Sequence, residues 1–172
     1  MRIRTEQPKD YQAIERLVKS AFESVEMSDQ TEHLLVQRLR ESDAYKPELS
    51  LVAISEKDEI IGQIMLSQIT IGSHTPSLAL APLSVAPHYQ KQGIGRKLVE
   101  TALKAAQQSG YPSVVVLGDP NYYQHFGFKM AMHYEIFGPT EAMNPYLMVL
   151  ELKSNALQNT SGEVHYSEAF NL

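Results

Sequence analysis

Residues 83–98 read Leu-Ser-Val-Ala-Pro-His-Tyr-Gln-Lys-Gln-Gly-Ile-Gly-Arg-Lys-Leu. An apolar run ends at Pro87, a short polar stretch carries Gly93 and Gly95, and helical spacing of apolar residues starts at once. Strand, glycine loop and helix start in that order aim unpaired backbone N–H groups, and the positive end of a helix dipole, at one spot. Glycines let the backbone close on a ligand with no Cβ in the way. The chemistry is anion binding, most naturally of a phosphate or pyrophosphate. Lys91, Arg96 and Lys97 add charge for further phosphates.

Two common phosphate loops do not fit. A P-loop ends in Gly-Lys-Ser/Thr, which is missing here. A dinucleotide fingerprint needs a third small residue where this chain has Leu98. From the two glycines alone, a plain tight turn from strand to helix remains an open alternative.

Other chemistries are excluded by composition. The chain has 172 residues and no cysteine, so disulfides, zinc ribbons, thiolate clusters and acyl-Cys intermediates are ruled out. His74, His88, His133 and His165 show no metal-ligand spacing such as His-Glu-x-x-His, and the methionines read as core filler. No metal is expected. Fifteen Lys+Arg against 20 Asp+Glu leave a net charge of −5, which argues against nucleic-acid binding. The N-terminus has no apolar signal segment, and no apolar run approaches membrane-spanning length. The expectation is a soluble cytoplasmic protein of one domain.

The elements that must position the loop can be read from periodicity. Residues 1–5 alternate as a first strand. Asp10 is a plausible N-cap for a helix carrying Ile14, Leu17, Val18, Ala21 and Phe22. A second helix has Thr31 as its cap and Leu34, Leu35, Val36 and Leu39 as candidate buried positions, and residues 42–48 read as a loop. Strands at 51–54 and 60–71 flank a polar turn. The strand at 78–85 is interrupted by Pro82, which implies an edge or a bulge. A helix over 94–109 stops at Gly110, and the strand 113–117 follows after a short link, so a parallel crossover is expected. A helical turn at 122–125 precedes closing strands at 134–137 and 147–152. Residues 164–166 form a short edge strand or belong to a loosely ordered tail.

The full pattern is more specific than its glycines. Gln90-Lys-Gln-Gly93-Ile-Gly95, preceded by Leu83-Ser-Val85-Ala-Pro87, resembles motif A of the GNAT superfamily of N-acetyltransferases. Tyr122-Tyr123-Gln-His-Phe-Gly127-Phe128 is similar to the family's aromatic-Tyr-x-x-x-Gly-Phe segment. The resemblance covers residues 1–152. Residues 153–172 are similar to C-terminal extensions in a bacterial subgroup of predicted N-acetyltransferases. The fold implied is α/β (α+β): a mixed, mostly antiparallel sheet with helices on both faces and a parallel, splayed strand pair around the cofactor.

The resemblance also implies acetyl-CoA as cosubstrate. Its pyrophosphate would lie on the backbone of Gln90, Lys91, Gln92, Gly93, Ile94 and Gly95, with Arg96 at the helix start. Its pantetheine arm would run beside Leu83, Ser84 and Val85 as a false strand. Tyr123 would protonate the departing thiolate, and a tyrosine pKa of about 10 keeps that proton available. The family's asparagine seven residues before this tyrosine is replaced by Val116, which leaves Asn121 as a possible substitute. The implied activity is direct acetyl transfer to a primary amine, of a small molecule or a protein. The alternative is a non-catalytic acyl-CoA-binding or interaction module of the same fold. Glu23, Glu26, Glu32, His33, His125 and Asp119 are candidate bases that the sequence does not rank, and monomer and homodimer both stay open.

Overall fold

The computed structural model describes residues 1–172. Alternating apolar residues build strand β1 (Arg2–Thr5), and two helices follow, α1 (Tyr11–Phe22) and α2 (Glu32–Arg40). Three antiparallel strands come next: β2 (Tyr45–Ile54), β3 (Ile60–Ile71) and β4 (Thr75–Val85). Helix α3 (Ile94–Gln108) crosses over to β5 (Ser113–Leu117), which pairs parallel with β4. After the short helix α4 (Pro120–Tyr123) come β6 (Lys129–Met130), β7 (Ile136–Phe137), β8 (Leu147–Glu151) and β9 (Gly162–His165). The main sheet runs β1-β2-β3-β4-β5-β8-β6 and is antiparallel everywhere except β4–β5.

Both faces of this sheet are covered, so its central strands are buried over long runs rather than every second residue. On one face α3 lays Leu98, Val99, Ala102 and Ala106 against Leu66, Leu80 and Val116. On the other, Ile14, Val18, Val36 and Leu39 from α1 and α2 pack on Val52 and Met65. Beside them Leu157 and Val164 close over Ala79, Val115 and Val149.

Several expectations change. Strand β2 begins at Tyr45, not at residue 51, because a broad bulge between Tyr45 and Ser50 takes up Pro47 and hides the alternation. Asp10 makes no side-chain cap to α1. Its carboxylate instead accepts from the Gln7 N–H at 2.8 Å and pairs with Arg4 at 2.7 Å. Arg4 holds the Asp10 carboxyl below the usual carboxylate range. Thr31 starts α2 without a side-chain cap, its hydroxyl donating to Asp29 at 2.6 Å. Leu34 lies on the exposed side of that helix.

The closing strand at 134–137 shrinks to Ile136–Phe137, since Glu135 takes φ +57° and breaks the extended run. Strand β6 pairs with β8 but is too short to leave a period in the sequence. The tail is ordered. Strand β9 joins the end of β3 and runs parallel to β7. The Arg38 Nε donates to the Ala169 carbonyl at 2.7 Å.

Candidate active site

The end of β4 is bent by Pro82. Ile64 pairs with Leu83 and Leu66 with Leu80, so Ala81-Pro82 faces the single residue Met65. This is the bulge that the proline implies. The buried Gln63 amide braces it, donating to the Pro82 carbonyl at 3.2 Å and the Ser84 hydroxyl at 3.1 Å. The β4–β5 ladder stops at Leu80↔Val116, so the strands part just where the bulge begins.

Main-chain direction alternates along a strand. The Ala86 N–H donates to Ile61 on β3 at 2.8 Å, so Ser84 also turns toward β3. Leu83 and Val85 therefore turn their peptide groups into the gap left by β5. The Val85 carbonyl is taken by the Gln90 side-chain amide at 3.0 Å. Leu83 and Val85 line the trough with main chain, whereas Ser84 spends both backbone and hydroxyl on the opposite side.

Beyond Val85 the chain makes a tight turn at residues 87–89 and enters the glycine loop. Lys91 takes φ +63° and Gly93 φ +86°, two left-handed steps that reverse the chain into α3. A Cβ on Gly93 would meet nothing within 4 Å, so glycine is required there by conformation and not by space. The backbone N–H groups from Lys91 through Arg96 donate to no protein acceptor, and the first helical bond runs from Lys97 to Gly93 at 3.1 Å. Arg96 pairs with Glu100 at 2.9 Å in the open, and Lys91 and Lys97 are exposed. An exposed pair of this kind is weak enough to release Arg96 to a ligand.

Tyr122 and Tyr123 come from α4, which Asp119 caps by accepting from the Asn121 N–H at 2.9 Å. Tyr123 is 9% exposed and stacks edge-on with Tyr122 and Phe128, at 5.0 and 5.6 Å between ring centroids. A Cβ on Gly118 would lie 2.5 Å from the Tyr123 ring, so that glycine makes room for the phenol. Burial first, and Tyr122 second, push the Tyr123 hydroxyl well above the ordinary tyrosine value. It is fully protonated at neutral pH.

Tyr122 is half exposed, and its hydroxyl sits 3.2 Å from where a Cβ on Gly95 would be. The second glycine of the loop is thus a close-approach position. Val116 is part of the β4–β5 ladder, and Asn121 is exposed on α4.

Of the candidate bases, Glu23 and Glu26 are exposed, and Asp119 is engaged as the α4 cap. The His125 Nδ1 lies 3.3 Å from the Tyr122 carbonyl. Glu32 accepts from the Ser28 hydroxyl at 2.6 Å.

Glu32 also lines a chamber that sequence reasoning did not find. Of about 640 Å³, it opens where β4 and β5 part, over Ala79, Leu80 and Ala81 on one strand and Val115 and Leu117 on the other. Its walls come from α2 and from the C-terminal segment, including Tyr166 and Phe170. The signal available was the Tyr166–Phe170 pair, two aromatic residues four positions apart near the end of the chain. Their rings lie 5.0 Å apart. Two wider clefts, of about 820 and 930 Å³, include none of residues 83–85, 90–96 or Tyr123.

The Acetyltransferase (GNAT) family model matches residues 11–128. The uncharacterized N-acetyltransferase YhbS of Escherichia coli K12 is 36% identical over 172 residues, covering 99% of each chain. The crystal structure of the Escherichia coli YhbS protein in complex with CoA superposes with a TM-score of 0.90 at 34% identity, over 99% of this chain and 92% of that one. A GNAT family acetyltransferase from Brucella melitensis, in complex with acetyl-CoA, gives 0.81 at 32% identity over 98% and 97%. No helix is long and apolar enough to cross a membrane. With a parting β4–β5 pair, a bulged strand end and a run of free amides before α3, the chain belongs to the GNAT family of acetyltransferases.

Proposed function

We propose that the protein is an acetyl-CoA-dependent N-acetyltransferase that moves an acetyl group to a primary amine by direct transfer in a ternary complex. The observation that carries this is the run of free N–H groups from Lys91 to Arg96, next to the point where β4 and β5 part. The two relatives that hold CoA and acetyl-CoA share this fold along nearly the whole chain.

The residues fit the cosubstrate group by group. Amides at a helix start suit a pyrophosphate, and Arg96, Lys91 and Lys97 stand beside them. The peptide groups of Leu83 and the Val85 N–H offer a pantetheine arm the hydrogen bonds that β5 no longer takes, the Val85 carbonyl being held by Gln90. Donors held rigidly at the bulge are also placed to polarise a thioester carbonyl. Gln90 holds the loop to Val85, so cradle and trough keep one geometry.

Tyr123 would give its proton to the sulfur as the C–S bond breaks and the C–N bond forms. Its raised pKa keeps the proton in place. A thiol departing into the same dry surroundings would have its own pKa pushed up from about 8.5, which narrows the gap between donor and acceptor. Holding donor and acceptor together supplies the remaining advantage by proximity. With no cysteine present, no thioester enzyme intermediate forms.

Calorimetry with acetyl-CoA, followed by release of CoA thiol over a panel of amines, tests the reading. Saturable binding and amine-dependent thiol release are expected. Tighter binding of ATP than of acetyl-CoA, or tight acetyl-CoA binding with no acceptor turned over, would overturn it. A serine-bound acetyl group that turns over competently would overturn direct transfer.

A further inference from the structure

The chamber opposite α3 has a composition of its own. Its floor is Ala79 to Ala81 and Val115, and Leu34, Leu35, Leu117 and Phe170 make it mostly apolar. Three charged side chains line it: Asp29 and Glu32 at the start of α2, and Arg38 one and a half turns further on. Arg38 is committed through Nε to the Ala169 carbonyl, which pins the C-terminal segment as a wall. The two carboxylates therefore outnumber the one guanidinium.

Asp29 accepts from both the Thr31 hydroxyl and the Thr31 N–H, at 2.6 and 2.9 Å. These bonds hold its carboxyl below the usual range, so it stays ionised. Such an anion is a firm anchor and a poor base. Glu32 takes only the Ser28 hydroxyl and has acceptor capacity left. The volume, near 640 Å³, falls in the range of small-molecule sites that are apolar with a few placed polar groups. Leu34, Leu117 and Leu172 are exposed around it, so its mouth as well as its floor is apolar.

We infer that the acceptor is a small cationic amine with an apolar body, its ammonium drawn by Asp29 and Glu32 and its body held between Leu35, Leu117 and Phe170. This rests on the transferase reading for the chemistry but on the chamber alone for the binding. The amine must lose a proton before it attacks, and Glu32, with its free lone pairs, is the carboxylate placed to take it. The C-terminal segment is then a specificity wall, since it supplies Tyr166 and Phe170.

The test is calorimetric titration of 2-phenylethylamine into the protein saturated with CoA, which permits no turnover. Ethanolamine keeps the charge without the body, and 3-phenylpropionate keeps the body with the opposite charge. Saturable binding is expected for 2-phenylethylamine alone, with the other two weaker by roughly tenfold or more. Glu32→Gln and Leu117→Ser should each weaken it roughly fivefold, with CoA affinity unchanged as the control for folding. Leu117 is 46% exposed, so its replacement does not threaten the core.

Equal or tighter binding of either control, indifference to both variants, or no saturable binding at all would overturn the inference. A dimer seen by light scattering alongside absent binding would make a second copy the occupant. Binding of 2-phenylethylamine without thiol release from acetyl-CoA would uphold the chamber and overturn the transferase reading. Thiol release with ethanolamine but not with 2-phenylethylamine would do the reverse.

Discussion

The two sides of the β4–β5 junction are built from different material. On the α3 side, consecutive residues 90–96 present main chain, and the side chains mostly point away into solvent. On the other side, α2, the middle of β4, the end of β5 and residues 166–172 each lend a few side chains to one chamber. In the function proposed above, amides fixed by two left-handed residues and a helix start would recognise a group that every acyl-CoA carries. Side chains gathered from distant segments can change one at a time, which on the same proposal would leave acceptor choice free to vary over an unchanged cradle.

The strongest test of this contrast is Gly93→Glu. It places a side chain at φ +86° and a negative charge where phosphate would sit. Acetyl-CoA affinity should fall roughly a hundredfold or more, measured by calorimetry, and the left-handed backbone should lower the melting temperature by about a few degrees. A variant that still binds normally would break the backbone-cradle reading.

Next comes Leu157→Ala, on the side-chain side. Leu157 is 1% exposed beneath the C-terminal segment, and truncation should cost about 2–4 kcal/mol in denaturant unfolding. A cost under about 0.5 kcal/mol would mean the tail is a loose addition rather than a core element.

Tyr123→Phe sharpens the junction itself. Turnover should drop about a hundredfold while acetyl-CoA affinity stays within about twofold, because only the proton donor is lost. Equal turnover would remove Tyr123 from the chemistry and leave it a core aromatic.

Smaller effects appear on titration. The folded Asp10 carboxyl is held low by Arg4, so its contribution is present above the ordinary value of about 3.9 and is lost as pH falls through the depressed one. Asp10→Asn should remove that acid limb. Tyr166, beside the chamber, is pushed up to about 12 by burial. Its contribution is present below the ordinary value of about 10 and fades as pH rises toward 12. Tyr166→Phe should flatten that alkaline limb in pH-dependent thermal melts.

The smallest effect belongs to Arg96→Ala. Its pair with Glu100 is exposed, so stability should move by less than about 0.5 kcal/mol. Acetyl-CoA affinity should weaken about threefold, more at low salt.

Legibility follows the same division. The loop at 90–95 could be read directly, since glycine, helix start and preceding strand are neighbours in the chain. Pro82 announced its bulge because a proline cannot donate to the ladder. The start of β2 at Tyr45 could not be read, because its bulge spoils the period of two. Strand β6 left no signal at two residues. Asp10 looked like a helix cap and became a partner for Arg4, a contact that exists only once β1 lies beside the first turn.

What the sequence alone determined is therefore local: the glycine loop at a helix start, the aromatic segment around Tyr123, the absence of cysteine and the alternation of strands and helices. Each rests on dihedral preferences and hydrogen bonds between residues a few positions apart. What only the tertiary structure decided is the pairing of distant segments. Gln63 braces the bulge from β3, and Arg38 ties the tail to α2 across more than 130 residues of chain. Packing of that kind depends on which buried faces meet, and no spacing along a single chain encodes it.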